Sequence, residues 1–264
     1  MTGSHKPAVE MNNSGFTLVE IAMVLFIITL LLAGLLPTIT VQLEQQRTTE
    51  TRKQISDIQQ ALIGYAMVNG RLPCPAKAAL ATGLANAGVE ATTANSCACN
   101  AAGSYNADNT ATACTLTTVT GVLPWVTLGL KETDAWDHRF TYRVTTHFAD
   151  KIANTYVWGC GSPEPTQASF ALCSPGVLNV LSAVAGTSVA SSMPAVFLSH
   201  GKNGYGAYTS GGAQLAGGSA DELENSNNDN TFVSHNPTSS FDDMPAWVIP
   251  GILFNRMIAA GKLP

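Results

Sequence analysis

A single carboxylate stands inside an otherwise apolar stretch near the beginning of the chain. The stretch runs from Phe16 to Leu36, and Glu20 is its only ionisable side chain. A charged side chain near the middle of a bilayer costs at least ~2.5 kcal/mol, so a lone acid in such a stretch needs a partner. No Lys, Arg or His lies between Phe16 and Leu36. A free α-amino group on Phe16, made by cleavage of the bond before it and carried by a neighbouring copy of the chain, is a partner of the right charge.

The residues around Glu20 resemble a known processing signal. The run Gly15-Phe16-Thr17-Leu18-Val19-Glu20 is similar to the motif of type IV pilins and of the pseudopilins of type II secretion. The resemblance implies that a prepilin peptidase cuts between Gly15 and Phe16 and that the new amino group of Phe16 is methylated. It also implies that Glu20 pairs with this amine during assembly. Pro37 matches a proline that pilins carry at this distance from the cut, where loss of a backbone hydrogen bond lets the helix kink or melt.

The length of the apolar stretch separates this interpretation from two simpler ones. Residues 16–36 are enough to cross a hydrocarbon core of roughly 30 Å as one helix. An ordinary secretory signal peptide has an apolar core of only about 7–15 residues. An ordinary single-pass anchor fits the length but leaves Glu20 unexplained. We therefore predict a leader peptide over residues 1–15, which the resemblance places in the cytoplasm.

Apolar residues continue at helical spacing after the predicted span. Spacings of three and four residues are typical of an amphipathic helix with one buried face. We predict one N-terminal helix over residues 16–69, with its membrane span at about 16–36. Asn69-Gly70 ends the helix, and the prolines that follow prevent its continuation. The apolar positions are Ile55, Ile58, Leu62 and Tyr65, and the outward polar positions are Arg52, Lys53, Asp57, Gln59 and Gln60.

Six cysteines lie after the predicted span, in the part of the chain that the resemblance places in the periplasm. Disulfides form in oxidising compartments, and an even number of cysteines suits them. Cys160 and Cys173 flank a short proline-containing loop and are the first predicted pair, while the others are expected to join within residues 74–114. The alternative is a metal site around Cys97-Ala98-Cys99, which lacks the second Cys or His pair that zinc sites use. The six are Cys74, Cys97, Cys99, Cys114, Cys160 and Cys173.

Residues 70–264 are predicted to form a globular head of about 195 residues, which is enough for one core. Within it, the segment of about 76–120 is rich in Ala, Thr, Asn and Gly and holds three of the cysteines. Such a segment buries little surface, so disulfides are expected to supply its order. It is either an exposed loop that contacts partners or a simple insertion.

Short apolar or alternating runs in the head, separated by Gly or Pro, predict strands. Their spacing indicates an antiparallel sheet, so we predict an α+β fold in which the long N-terminal membrane-spanning helix packs on the sheet of the head. Pro250 begins and Gly261 follows a short final helix. The predicted strands are Val122–Trp125, Phe140–Val144, Thr155–Trp158, Val177–Leu181 and Ala195–Leu198.

One turn of the head adds to the resemblance. The run Asp134-Ala135-Trp136-Asp137 is similar to the Asp-x-Trp-Gly turn of major pseudopilins. Asp137 stands where those proteins have glycine, so the resemblance is to the pilin-like class rather than to a major pseudopilin.

An acidic and amide-rich run near the carboxyl end is a candidate calcium loop. Oxygen-rich loops suit calcium, which takes several oxygen ligands, and some pseudopilins have a calcium loop in a similar position. The candidate ligands are Glu224, Asn225, Asn227 and Asp229. The alternative is a solvated polar loop, and no other cofactor is expected.

Two further groups of residues have simpler explanations. The run 199–206 is rich in glycine but lacks the order of a phosphate-binding loop, in which Ser or Thr follows the lysine. Its glycines fit a tight turn with positive φ, and His200 is expected to be a hydrogen-bonded structural group. Asp242 and Asp243, next to Met244-Pro245, are expected to form a turn.

Composition and motifs narrow the classes of function. The formal net charge is −5 and the isoelectric point is near 5.5. A nonspecific nucleic-acid binder, which carries a clustered basic face, is therefore not expected. The sequence contains no HExxH, GxSxG or GxGxxG motif, and its five histidines are scattered, so an enzyme is not expected.

These inferences and the resemblance together predict a pilin-like subunit that assembles into a type IV pilus or a related filament. Within that class, they predict a minor pilin. The expected partners are prepilin peptidase, the inner membrane, and other pilin or pseudopilin subunits of a homo- or hetero-oligomeric filament. Before assembly the chain crosses the bacterial inner membrane once with its head in the periplasm. One alternative is a pseudopilin of a type II secretion system. Another is a tip adhesin or DNA-binding minor pilin, whose head contacts a surface, DNA or a secreted protein.

Overall fold

The structure is a computed structural model that describes residues 15–93, 96–99, 112–113, 117–150 and 167–264. The side chains of residues 33–39, 99 and 112–113 are not described. The predicted strand Thr155–Trp158 and the cysteines at 114 and 160 lie outside the described residues. The chain divides into two compact units, Met1–Gln46 and Arg47–Pro264.

Helix α1, Leu18–Asn69, begins in the first unit and ends in the second. Pro37 lies within this helix. In the first unit the large apolar side chains between Phe16 and Leu32 are exposed to solvent. None of the helices in the described part of the chain is long and apolar enough to cross a bilayer, so the predicted span at about 16–36 is not confirmed.

The second unit is built around a four-stranded antiparallel sheet. All five residues of its strand Ala195–Ser199 are buried, because the sheet is covered on both faces. Ala195 and Phe197 belong to the cluster that contains α1 residues, whereas Val196 and Leu198 belong to a second cluster behind the sheet. The strands, in spatial order, are β11 (Met244–Trp247), β8 (Ala195–Ser199), β5 (Thr141–Thr145) and β3 (Thr118–Val122).

A three-stranded sheet provides most residues of the second hydrophobic cluster. Its central strand β6, Leu178–Leu181, pairs antiparallel with β7, Ser188–Met193, and parallel with β10, Thr231–Val233. The prediction of an antiparallel sheet is therefore wrong for one pair of strands, β6 and β10. Two short pairs complete the described strands, namely β1 (Ala98–Cys99) with β2 (Thr112–Ala113), and β4 (His138–Arg139) with β9 (Tyr208–Thr209).

The last part of α1 packs on the main sheet as its apolar spacing predicts. Ile58 and Leu62 are buried in the larger cluster, and the predicted outward residue Asp57 is exposed. Gln59 is half-buried, because its Nε2 donates a hydrogen bond to the carbonyl of Trp247. The helix ends at Asn69.

The final helix α5, Pro250–Ala259, closes the same cluster, with Pro250 in its first turn. Leu253 and Met257 are buried in it. Phe254 stacks with Phe148 at 6.3 Å between ring centroids. The prediction of a docked terminal helix is confirmed.

The predicted strand Val122–Trp125 is wrong beyond its first residue. Strand β3 ends at Val122, and Trp125 begins the short helix α2, Trp125–Leu128. Pro124 cannot donate a ladder hydrogen bond, which prevents the strand from continuing. Trp125 is buried instead against the guanidinium of Arg139, 4.8 Å from its ring centroid. The described part of the head contains two other short helices, α3 (Thr146–Ala149) and α4 (Ala220–Ser226).

The turn at Asp134 shows why glycine is usual at its fourth position. Asp137 has φ of +67°, in the left-handed region that glycine adopts without strain. One carboxylate oxygen of Asp134 accepts hydrogen bonds from the backbone N–H groups of Trp136 and His138, both at 2.9 Å. The turn keeps its shape although a non-glycine residue occupies the strained position.

Candidate functional site

The predicted processing site lies just outside the helix. Gly15, Phe16 and Thr17 are not helical, and α1 begins at Leu18. The bond between Gly15 and Phe16 therefore lies in a non-helical segment, where backbone groups are free of helical hydrogen bonds. Phe16 is 83% exposed.

Glu20 is bonded to Thr17 by three hydrogen bonds. Its Oε2 accepts from the backbone N–H of Thr17 at 2.9 Å and from the Thr17 hydroxyl at 2.8 Å. In return the backbone N–H of Glu20 donates to the Thr17 hydroxyl at 3.3 Å. This reciprocal arrangement is a capping box, in which Thr is the N-cap and Glu the third helical residue. The run Thr17-x-x-Glu20 before an apolar stretch is a sequence signal for this box.

The capping box gives Glu20 a role within its own chain before any neighbour is present. The capping box gives the carboxylate its hydrogen-bond donors. It also gives an acceptor to a backbone N–H that has none within the helix. The same carboxylate lies four residues beyond the predicted new amino terminus. The predicted pairing of Glu20 with an amine in another copy would therefore replace Thr17 as the partner of the carboxylate.

The cysteines whose side chains are described form disulfides. Cys74 and Cys97 form a disulfide, which fits the expectation of a bridge within residues 74–114. Cys97 therefore has no thiolate to offer to a metal site with Cys99. Cys173 is also disulfide-bonded. Its partner lies outside the described side chains, so the pairing of Cys160 with Cys173 stays a prediction.

Next to this disulfide, a buried ion pair ties the end of α1 to the loop that follows. Arg71 binds Glu90 with two parallel hydrogen bonds of 2.7 and 2.9 Å. Tyr65, on α1, donates to the same carboxylate at 2.8 Å. Burial alone would raise the pKa of Glu90, but the hydrogen bonds and charge of Arg71 outweigh it and hold this pKa below its usual value.

The predicted calcium ligands do not converge on one point. The amide of Asn227 donates to Glu224 and to Asp229, both at 3.1 Å. Asp229 also accepts from the backbone N–H of Thr231. Asn225 is buried, and its amide donates to the Val233 carbonyl and to the Asp243 carboxylate.

A different acidic cluster is formed by residues far apart in the sequence. One carboxylate oxygen from each of Glu222, Asp242 and Asp243 lies within 4.8 Å of the others. Glu222 and Asp243 are buried. Burial raises the pKa of Asp242, and the charges of Asp243 and Glu222 raise it further against an opposing backbone hydrogen bond from Asn203.

The glycine-rich run 199–206 contacts this acidic cluster and is not a phosphate-binding loop. Gly201, Gly204 and Gly206 all have positive φ, as the tight-turn prediction requires. The turn aims the backbone N–H of Asn203 at Asp242, at 3.0 Å, and the Asn203 amide at Glu222, at 2.7 Å. A Cβ at Gly201 would lie 2.4 Å from the carbonyl oxygen of Asp242, so only glycine permits this approach.

His200 lies next to the same acidic cluster. Its Nε2 is hydrogen-bonded to the hydroxyl of Thr141 at 2.8 Å, in agreement with a structural role for this ring nitrogen. Its Nδ1 lies 3.6 Å from the Asp243 carboxylate, too far for a hydrogen bond.

Comparison with known proteins bears on the N-terminal site. Residues 11–36 match the family model described as the prokaryotic N-terminal methylation motif, the processing signal of type IV pilins and pseudopilins. No curated protein and no solved structure gave a match to the chain. The motif that the run from Gly15 to Glu20 predicts is confirmed, and the head carries no resemblance that assigns its role.

Proposed function

We propose that this chain, which carries the N-terminal methylation motif, is a pilin-like subunit that is cut between Gly15 and Phe16 and incorporated into a type IV pilus or a related filament. The match over residues 11–36 carries this proposal. The non-helical segment at Gly15 and Phe16 supports it, because a peptidase needs an accessible, unfolded bond.

In this account residues 16–36 hold the chain in the inner membrane until assembly. Their support is the sequence itself, with one ionisable side chain in a stretch long enough to span a bilayer. In the filament these apolar side chains pack against the same segment of neighbouring subunits, with the head outside the membrane.

Glu20 links processing to assembly. Within the chain its carboxylate is held by Thr17. After the cut, the Phe16 amine of an adjacent subunit offers a full positive charge, and a charge-assisted hydrogen bond is stronger than one to a neutral hydroxyl. The exchange sets the register between subunits, at a desolvation cost that the partner's charge offsets.

The head favours a low-copy, minor subunit. Its described part is stabilised by the Cys74–Cys97 disulfide and by three hydrophobic clusters, and a head of about 195 residues is large for a subunit that must pack many times along a shaft. A pseudopilin of a secretion system has the same N-terminal chemistry. Immunogold labelling separates the roles, since a minor tip subunit is labelled at one end and a major subunit along the shaft.

The proposal is tested by following Glu20→Ala and Glu20→Gln in cells that make the filament. Both variants are expected to reach the membrane and to be cut like the wild type, but to be missing from the sheared filament fraction. An exposed substitution in the second half of α1, Lys53→Ala, serves as the control and is expected to be incorporated normally. Normal incorporation of Glu20→Ala would reject this mechanism of assembly.

A further inference from the structure

We infer that Glu222, Asp242 and Asp243 bind one divalent cation of the calcium type within the head. The inference is independent of the proposed role in a filament. It also differs from the calcium loop predicted at Glu224–Asp229, whose side chains are bonded to one another.

The spacing of the three carboxylates fits one such ion. Calcium binds oxygen at about 2.3–2.6 Å, so ligands on opposite sides of the ion are separated by roughly 4.6–5.2 Å. One oxygen from each carboxylate lies within 4.8 Å of the other two. Three oxygens at these separations are close enough for one calcium ion to contact all of them after small rotations of the side chains. Magnesium, with bonds of about 2.0–2.1 Å, holds even opposite ligands only roughly 4.2 Å apart.

Buried polar atoms without hydrogen bonds point into this cluster. Among the described residues, one oxygen of Asp242, one oxygen of Asp243 and the Nδ1 of His200 are buried and have no hydrogen-bond partner. His200 is completely buried, and its unbonded nitrogen faces the unbonded oxygen of Asp243 at 3.6 Å. A buried polar atom without a partner destabilises the folded state, and a buried carboxylate does so more strongly. A cation satisfies both oxygens at once.

The other oxygens of the cluster are held in place by fixed donors. Asn225 donates to Asp243 at 2.8 Å. The backbone N–H of Ser219 donates to Glu222 at 2.8 Å, in the capping box that begins α4. Hydrogen bonds of this kind, made to ligand side chains from outside the metal site, orient the ligands and are a regular part of metal centres.

His200 belongs to this outer set rather than to the ligands. Its Nδ1 lies 3.6 Å from Asp243, and imidazole is a poor ligand for a hard cation, which prefers oxygen. With Thr141 at Nε2, a neutral ring with its proton on Nδ1 would donate to Asp243 once the carboxylate turns toward the ion. This tautomer fits the hydroxyl of Thr141 as a donor to Nε2.

Binding would join three separate parts of the head. Glu222 lies on α4, Asp242 and Asp243 precede strand β11, and the turn 200–206 follows strand β8. An ion held by all of them stabilises the folded head, because the three carboxylates are together only in the folded state.

The test uses the full-length chain, purified in detergent, stripped with a chelator and dialysed. Calcium binding is measured by equilibrium dialysis, and the unfolding midpoint is measured with and without calcium chloride, with magnesium chloride for comparison. We expect one calcium per chain and a higher midpoint in calcium than in magnesium. Absence of both binding and a midpoint shift would overturn the site.

Two matched variants locate the ion. Asp242→Asn keeps an oxygen for the Asn203 N–H and is expected to fold but to bind calcium at least about tenfold more weakly. Asp229→Asn lies in the exposed loop and is expected to bind like the wild type. Wild-type affinity in Asp242→Asn, or loss of binding in Asp229→Asn, would contradict the assignment. A cooperative unfolding transition in each variant shows that it is folded, and Glu222→Gln provides a second ligand variant if Asp242→Asn is not.

Discussion

The carboxylate of Glu20 accepts hydrogen bonds from both the backbone N–H and the hydroxyl of Thr17, at 2.9 and 2.8 Å. The Thr17-Leu18-Val19-Glu20 run is thus both a helix start and part of the methylation motif. Glu20 therefore has a hydrogen-bonding partner within its own chain. In the proposed assembly step, Thr17 positions this carboxylate at the start of the helix.

Removal of the Thr17 hydroxyl should weaken assembly less than removal of Glu20. Loss of an N-cap side chain costs about 1 kcal/mol, roughly a fivefold change in an equilibrium. We expect Thr17→Val to be cut normally and to enter the filament fraction about fivefold less than the wild type, as measured by immunoblot. Thr17→Ser keeps the hydroxyl and should restore incorporation. An equal defect in Thr17→Ser and Thr17→Val would show that the hydroxyl is not the cause.

Glycine at position 137 should be tolerated better than any residue with a side chain. Asp137 has φ of +67°, a conformation that costs L-residues about 1 kcal/mol and glycine almost nothing. We expect Asp137→Gly to keep or raise the free energy of unfolding by up to about 0.5 kcal/mol, and Asp137→Val to lower it by about 1–2 kcal/mol. Denaturant unfolding of the two variants checks this, and equal effects of Gly and Val would contradict it.

The parts of the fold that local sequence encodes were predictable. The methylation motif, strand β8 and helix α5 all depend on residues adjacent in the chain, and each is found where its pattern indicates. Trp125 was misassigned because its burial depends on Arg139, which comes later in the sequence.

Sequence patterns could not predict the acidic cluster, because its residues are also far apart in the chain. Glu222 and Asp243 are separated by twenty residues, and only the turn at Gly201 and the packing of α4 against the segment before β11 bring them together. The parallel pairing of β10 with β6 likewise joins segments separated by about fifty residues. Local spacing contains no signal for either contact.

The buried pair of Arg71 and Glu90 should contribute strongly to stability. Glu90→Gln leaves the guanidinium of Arg71 buried without its counter-charge, which typically costs about 3–5 kcal/mol. The folded pKa of Glu90 lies below its usual value, so this stabilisation is present above the unfolded pKa and is lost as the pH falls through the folded pKa. Chemical unfolding of the wild type and Glu90→Gln at pH 7 and at pH 3 is the measurement. A constant difference between the two pH values would contradict the ion pair.

Asp150 should show the opposite dependence on pH. Burial raises its pKa to about 6, against a backbone hydrogen bond from Cys97 and the charge of Arg71. The folded state therefore favours the protonated carboxyl, and this stability is present below the unfolded pKa and lost as the pH rises through about 6. Asp150→Asn keeps an acceptor for Cys97 and should raise the free energy of unfolding by about 1–2 kcal/mol at pH 7.5.

The gain in Asp150→Asn should largely disappear near pH 4, because the folded carboxyl is then protonated and the unfolded one, with its usual pKa of 3.8, is only partly ionised. Thermal unfolding midpoints across this pH range measure it. The exposed Asp57→Asn is the matched control and should leave the midpoint unchanged. A gain that persists at pH 4 would show that the amide improves packing rather than removing a buried charge.

Cleavage before Phe16 and incorporation into a filament are tested together by the mass and sequence of the amino terminus of the chain recovered from the filament fraction. We expect this chain to begin at Phe16 and to carry one added methyl group on its α-amine. A Gly15→Asp variant should remain uncut and absent from that fraction. A filament-associated chain that retains residues 1–15, or that begins at a residue other than Phe16, would contradict the account.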